Sequence, residues 1–154
     1  MKALYVVALG PVAAEPLAWI EAACASWFPL EVKRIAGVVP PPDTWDQARQ
    51  QFRSVDLLKI LVAKAPLDAA RVLGITEGDL GIPMLTFLFG QAQVDGLAAL
   101  VSLCRLRQEF YGMPPDDGML RERAVKEVLH EMGHTFGLTH CADGGCAMSL
   151  STHI

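Results

Sequence analysis

The 154 residues hold no excess of positive charge: 13 Lys and Arg stand against 17 Asp and Glu, a formal net charge of −4. Nucleic-acid binding rests on neutralising phosphates with basic side chains, so no nucleic-acid partner is expected. No apolar run approaches the roughly 18 to 20 residues of a membrane span, so no membrane partner is expected either. Repeats, low-complexity tracts and long charge runs are also missing. A single domain over residues 1–154 follows, and with 52% hydrophobic residues it has ample material for a core. After the first apolar run comes Gly10-Pro-Val-Ala-Ala-Glu15, which lacks the glycine pattern that cradles a pyrophosphate. Dinucleotide binding is therefore rejected. Cysteine is scarce, at four residues, with no Cys-x-x-Cys pair among them. Such usage suits a reducing compartment. Cys24 and Cys104 lie in apolar stretches and read as buried small hydrophobes.

The chain opens Met1-Lys2 and then runs Ala-Leu-Tyr-Val-Val-Ala-Leu over residues 3–9. Seven apolar residues are at the short limit for the core of a signal peptide. A buried first strand accounts for them equally well, and with it a cytoplasmic, monomeric protein is expected. Residues 14–28 read as a helix with Leu17, Ile20, Cys24 and Trp27 on one face. A second strand over 31–39 ends at Pro40-Pro41-Pro42, and a loop follows. Residues 55–64 form a helix, 71–76 a third strand, and 40–54 and 77–84 loops. Two β-runs, 83–94 and 97–103, meet at Asp95-Gly96, a strong two-residue hairpin signal. The alternation describes a mixed α/β domain.

Histidine is as rare as cysteine, yet three of the four histidines fall between positions 130 and 140: His-Glu-Met-Gly-His-Thr-Phe-Gly-Leu-Thr-His. His130 and His134 are four apart, so on a helix both imidazoles leave one face. Glu131 points roughly 100° further round, beside a metal rather than onto it. Gly137 can adopt the left-handed conformation that ends a helix, letting the chain turn back and present His140. This pattern arises by accident in about one chain of this length in a hundred thousand. Three neutral imidazoles leave one tetrahedral position of a zinc ion open, as in catalytic rather than structural sites. Upstream, Val125, Val128, Leu129, Met132 and Phe136 form an apolar stripe, with Arg121, Glu122, Lys126 and Glu127 opposite. Asp116 or Asp117 is placed to cap the helix.

The spacing H-E-x-x-H-x-x-G-x-x-H resembles the metzincin clan of zinc peptidases. Within the clan, Gly137-Leu-Thr-His-Cys141 followed by Cys146-Ala-Met148 looks like the archaemetzincins. The likeness extends to Phe87-Leu-Phe-Gly90 and Glu109-Phe-Tyr-Gly112. It implies a metzincin-like domain: a mixed twisted sheet with one antiparallel edge strand, a backing helix, and an active-site helix within residues 118–154. It also implies His130, His134 and His140 as ligands of a catalytic zinc, Glu131 as general base, and Met148 as the apolar Met-turn floor. The edge strand bordering the cleft, where a peptide substrate pairs, would be residues 85–91. By the same resemblance Cys141 and Cys146 supply half of a second, structural zinc site. The other half, a downstream Cys-x-x-Cys, is absent here. Either these residues are a shortened form, or that second site is missing or incomplete.

A zinc peptidase, aminopeptidase-like, is the leading expectation. A zinc-binding protein of regulatory or interaction role is the alternative, and a hydrolase of non-peptide amides a third. Glu131 speaks against pure metal binding, which needs no carboxylate beside the first ligand. Other residues carry weaker signals. Tyr111 could donate to an oxyanion but more simply packs as an aromatic; His153 reads as a surface residue. Arg105 and Arg107 could bind an acidic group but read as a solvated pair.

Overall fold

The computed structural model describes residues 2–143 and 145–149. In chain order it runs β1 (Ala3–Leu9), α1 (Ala14–Trp27), β2 (Glu31–Arg34), β3 (Trp45–Asp46), β4 (Gln51–Arg53) and α2 (Ser54–Lys64). Then follow β5 (Ala69–Thr76), β6 (Leu80–Ile82), β7 (Leu85–Leu88), β8 (Gly90–Ala92), β9 (Ala98–Ser102) and α3 (Asp117–Thr135). The main sheet has the order β2-β1-β5-β9-β8. Its first four strands are parallel, and β8 lies antiparallel at the edge.

Continuous apolar strands in a parallel sheet need cover on both faces. Leu4 and Val6 of β1, with Leu73, Ile75, Ala99 and Val101, pack on α1 and α3. Tyr5 and Val7, with Val72, Ala98 and Leu100, face α2 through Leu57, Leu58 and Leu61. The first apolar run is thus a core strand, as expected. α3 carries a row of buried residues, Leu120, Ala124, Val128 and Met132, spaced by four. This row, rather than the wider stripe read from the sequence, fixes the helix on the sheet. Asp116 caps it, its Oδ1 accepting from the Met119 amide at 3.0 Å.

Several expectations shift. Trp27, assigned to the buried face of its helix, is exposed. The second strand stops at Arg34, and only Val38 returns to bridge Leu9. The supposed loops 40–54 and 77–84 contribute three short strands to a second sheet, ordered β3-β4-β6-β7. Strands of two or three residues leave no periodicity to read. The run 83–94 splits: β7 joins the small sheet and β8 the main one, so the single edge strand expected over 85–91 is two strands in different sheets. The β8–β9 hairpin is real, but its turn is wider than two residues. Gln93 N–H bonds the Ala98 carbonyl and leaves 94–97 as the loop. The Gln93 side chain accepts from the amides of Leu97 and Ala98, while Asp95, at φ +53°, donates its N–H to the His134 carbonyl. The turn therefore anchors the end of α3. Among the described residues no helix is long and apolar enough to cross a membrane.

Candidate metal centre

His130 and His134 sit on the last turns of α3, whose end is a Schellman arrangement. Gly137 N–H bonds His134 O, Leu138 N–H bonds Gly133 O, and Gly137 takes φ +87°. Asp95 N–H and the Arg71 guanidinium satisfy the exposed carbonyls of His134 and Thr135. Arg71 also lies over the Phe136 ring, 4.4 Å from its centroid. Phe136, assigned to the buried stripe, falls just beyond the helix at 41% exposure and stacks on Phe28. Past the glycine the chain reverses and brings His140 over the other two rings.

The ligand atoms of His130, His134 and His140 all lie within 4.8 Å of one another. The Nδ1 of His130 is 2.7 Å from the Ala147 carbonyl and that of His134 is 2.8 Å from the Leu138 carbonyl. A carbonyl only accepts, so each Nδ1 carries the proton and each Nε2 presents a lone pair. Those two Nε2 atoms stand 3.2 Å apart. Lone pairs so close repel unless a cation lies between them. Tetrahedral zinc with Zn–N near 2.0–2.1 Å would set the two nitrogens about 3.3 Å apart. The donor set and its spacing fit that ion. Desolvation, followed by the charges of His134 and His130, lowers the pKa of His140, which favours the neutral ring a metal needs.

Glu131 is buried and lines, with the three histidines, a cavity of 560 Å³. Burial first, then the hydrogen bond and charge of Glu127, push its carboxyl far above the usual carboxylate range when no metal is bound. Glu127 had been placed on the polar face of the helix; the structure buries it in the same cavity, at 6% exposure. Sequence periodicity misses it because the residue faces a cleft wall built by β7 and β8, not solvent. The rest of the lining is largely apolar, including Leu85, Phe87, Phe89 and Val94.

Met148 is buried below the helix, and its turn is closed by Cys141 N–H to Met148 O at 2.8 Å. Gly133 makes room for it: a Cβ there would stand 3.2 Å from Met148 Cε and well inside 3.0 Å of Sδ. The carbonyl of the preceding residue, Ala147, is the one that orients His130. Cys141 and Cys146 are half-buried free thiols on this turn. Among the described residues they join no group of three metal-ligating side chains. Cys24 is buried as expected, whereas Cys104 is only half-buried. Tyr111 stays out of the cavity and donates its hydroxyl to the Arg105 carbonyl at 2.7 Å. Arg105 and Arg107 are not a solvated pair: they bind Asp79 and Glu77 through two nitrogens each. Arg105 also covers Phe87, 4.0 Å from its centroid. His153 lies outside the described residues.

Comparison with known proteins agrees with this geometry. Residues 49–154 match Peptidase family M54. The archaemetzincin of Methanocaldococcus jannaschii is 43% identical over 128 residues, spanning 80% of this chain and 69% of that protein. The archaemetzincin of Pyrococcus furiosus is 39% identical over 98% of this chain and 82% of its own length. The crystal structure of the Methanopyrus kandleri archaemetzincin superposes with a TM-score of 0.84 at 35% identity, over 99% of this chain and 82% of that one. Taken with the three converging imidazoles, these matches establish that the chain belongs to Peptidase family M54, the archaemetzincins, as a zinc metallopeptidase.

Proposed function

We propose that His130, His134 and His140 hold one catalytic zinc, that Glu131 is the general base, and that a peptide is hydrolysed in the cavity beside them, in an aminopeptidase-like manner. The observation that carries this reading is the pair of imidazoles whose protons are committed to Ala147 and Leu138, leaving their free nitrogens facing each other. Zinc bound there supplies a Lewis acid that acidifies water and polarises a carbonyl. Glu131, on the next position of the helix and lining the same cavity, accepts the proton of the attacking water. It then passes that proton to the departing amine, so one carboxylate serves both halves of the reaction. The apolar walls keep competing water away and strengthen each charge interaction inside. Among the described residues β8 pairs only with β9 in the main sheet, so its outer edge can receive an extended peptide as one more strand. Met148 supports the site from below, with Ala147 fixing the His130 ring.

Digestion of a peptide library by zinc-loaded wild type, by Glu131→Gln and by a chelated sample tests this. Glu131→Gln keeps shape and zinc but loses the base, so turnover falls at least about 100-fold with metal content unchanged. Chelation abolishes cleavage. Equal turnover in Glu131→Gln and wild type would remove Glu131 from the mechanism, and cleavage that survives chelation would remove the metal.

A further inference from the structure

Two segments, Phe87-Leu-Phe-Gly90 and Glu109-Phe-Tyr-Gly112, are brought together by one side chain outside the cavity, Arg105. Its guanidinium lies over the Phe87 ring, 4.0 Å from the centroid, and over the Phe110 ring at 4.7 Å. Tyr111 holds the same residue by its backbone carbonyl. Phe87 lines the cavity and Arg105 does not, so the guanidinium stands behind the cavity wall. The Phe87 ring also meets Phe89 edge-on, with centroids 5.1 Å apart. Flat stacking on aromatic rings is a property of the guanidinium that an ammonium lacks.

The wall needs such support. β7 has four residues and, among the described residues, pairs only with the three of β6. Side chains converging on Asp79 hold it in place. Arg105 donates to both Asp79 carboxylate oxygens at 2.9 Å. Gln51 Nε2 donates to Asp79 Oδ2 at 2.9 Å and to the Thr86 carbonyl of β7 at 2.8 Å. Gln51 is buried, and its Oε1 has no partner among the described residues. An unmet buried acceptor is costly, so the amide is turned towards Asp79 and Thr86 against that cost. The strand is thus fixed twice, through its backbone by Gln51 and through the Phe87 ring by Arg105. With its charge engaged by Asp79, Arg105 is not free to receive a substrate carboxylate. Its influence on a substrate must pass through Phe87.

We propose that Arg105 is a positioning residue: held by Asp79 and stacked between Phe87 and Phe110, it fixes the Phe87 ring as a wall against which an apolar side chain of the substrate packs. This rests on the peptidase reading above. A Cβ at Gly90 would stand 2.8 Å from Glu131 Cγ, so the bond under attack lies near Gly90. Phe87 is three residues back, about 10 Å along an extended chain, so the side chain it meets is two or three residues from that bond. The test uses alanine peptides carrying a single phenylalanine, moved one position at a time, with the all-alanine parent as reference. Affinity is measured by calorimetry on zinc-loaded Glu131→Gln, which keeps the peptides intact, and KM and kcat on zinc-loaded wild type. At one position phenylalanine should improve affinity about 10-fold or more over the parent, the yield of filling an apolar pocket. Adding Arg105→Gln should shrink that gain about 3- to 10-fold, the range of a partly desolvated cation–π contact. Phe110→Leu, which leaves the Asp79 pair intact, should act in the same direction. The loss should appear in KM at that position alone, with zinc content and kcat for the parent peptide unchanged. Arg107→Gln breaks the neighbouring two-nitrogen pair with Glu77 but touches no cavity wall, and should leave the gain as it was. A gain that survives both Arg105→Gln and Phe110→Leu, an equal loss in Arg107→Gln, or no position at which phenylalanine helps would each overturn the proposal. Should Arg105→Gln fail to fold, Phe110→Leu decides, since Phe110 is 44% exposed. If zinc-loaded wild type cleaved none of the peptides, the peptidase reading would fail while the affinities still judged Arg105.

Discussion

Replacing Gly133 by alanine probes the junction between the active-site helix and the Met148 turn. Alanine is the better helix former, by about 0.5–1 kcal/mol, so an open position would gain stability. Position 133 is not open. The added methyl would overlap Met148 Sδ inside 3.0 Å and press on Cε at 3.2 Å, while Leu138 Cδ1 at 3.5 Å is an ordinary contact. Overpacking of this kind costs about 1–3 kcal/mol, so Gly133→Ala should be net destabilising by roughly 0–2.5 kcal/mol. The strain acts on the turn whose Ala147 carbonyl orients His130, so zinc affinity should also fall, by about 10- to 100-fold. Met148→Ala alone costs about 2–5 kcal/mol through the cavity it leaves. In that background the obstruction is gone, and Gly133→Ala should stabilise by its helix propensity alone. The sign of one substitution thus reverses with the identity of residue 148. Urea unfolding of the four metal-free proteins, followed by circular dichroism and fluorescence together, measures it, with a competitive chelator titration for zinc. Additive effects of the two substitutions would refute the argument that Met148 is what requires glycine at 133.

Two more outcomes follow from particular contacts. Cys24 is fully buried, and burial, with the charge of Glu21 adding, pushes its thiol up to about 12. Thiol labelling at pH 8 should therefore modify Cys141 and Cys146 well before Cys24, which reacts only on unfolding; early labelling of Cys24, located by peptide mass, would contradict its place in the core. The same shift has a sign for stability. Below about pH 9 both folded and unfolded chains keep the Cys24 proton, and between 9 and 12 only the folded one does, so stability declines as pH climbs through that window and Cys24→Ala should flatten the decline. Asp116→Ala removes the cap on the Met119 amide and should cost about 1 kcal/mol in metal-free unfolding, with the asparagine variant close to wild type.

The cluster of three histidines was legible because its geometry is local. Four residues on a helix fix His130 against His134 whatever surrounds them, and Gly137 with its φ of +87° sets the reversal that delivers His140. The apolar strand at 3–9 was equally local, since burial on both sheet faces leaves an unbroken apolar run. Ion pairs between remote residues were not legible: Arg105 and Arg107 meet Asp79 and Glu77 only because the turns that follow β9 and β5 come together, 26 and 30 residues apart in sequence. The split of 83–94 between two sheets escaped for the same reason, since β4 and β6 must exist before β7 has a partner.

By itself, then, the order of amino acids determined the trio of histidines, the carboxylate beside the first of them, and the layered α/β framework, because these follow from the period of a helix and the apolarity of strands. Only the folded chain decided that Glu127 is inside. Its neighbours in sequence are those of a solvated helix face, and what removes it from water is the backbone at Gly90, crossing from a strand 37 positions away. Burial is a property of the whole packing, and so the second carboxylate of the cleft belongs to the tertiary structure alone.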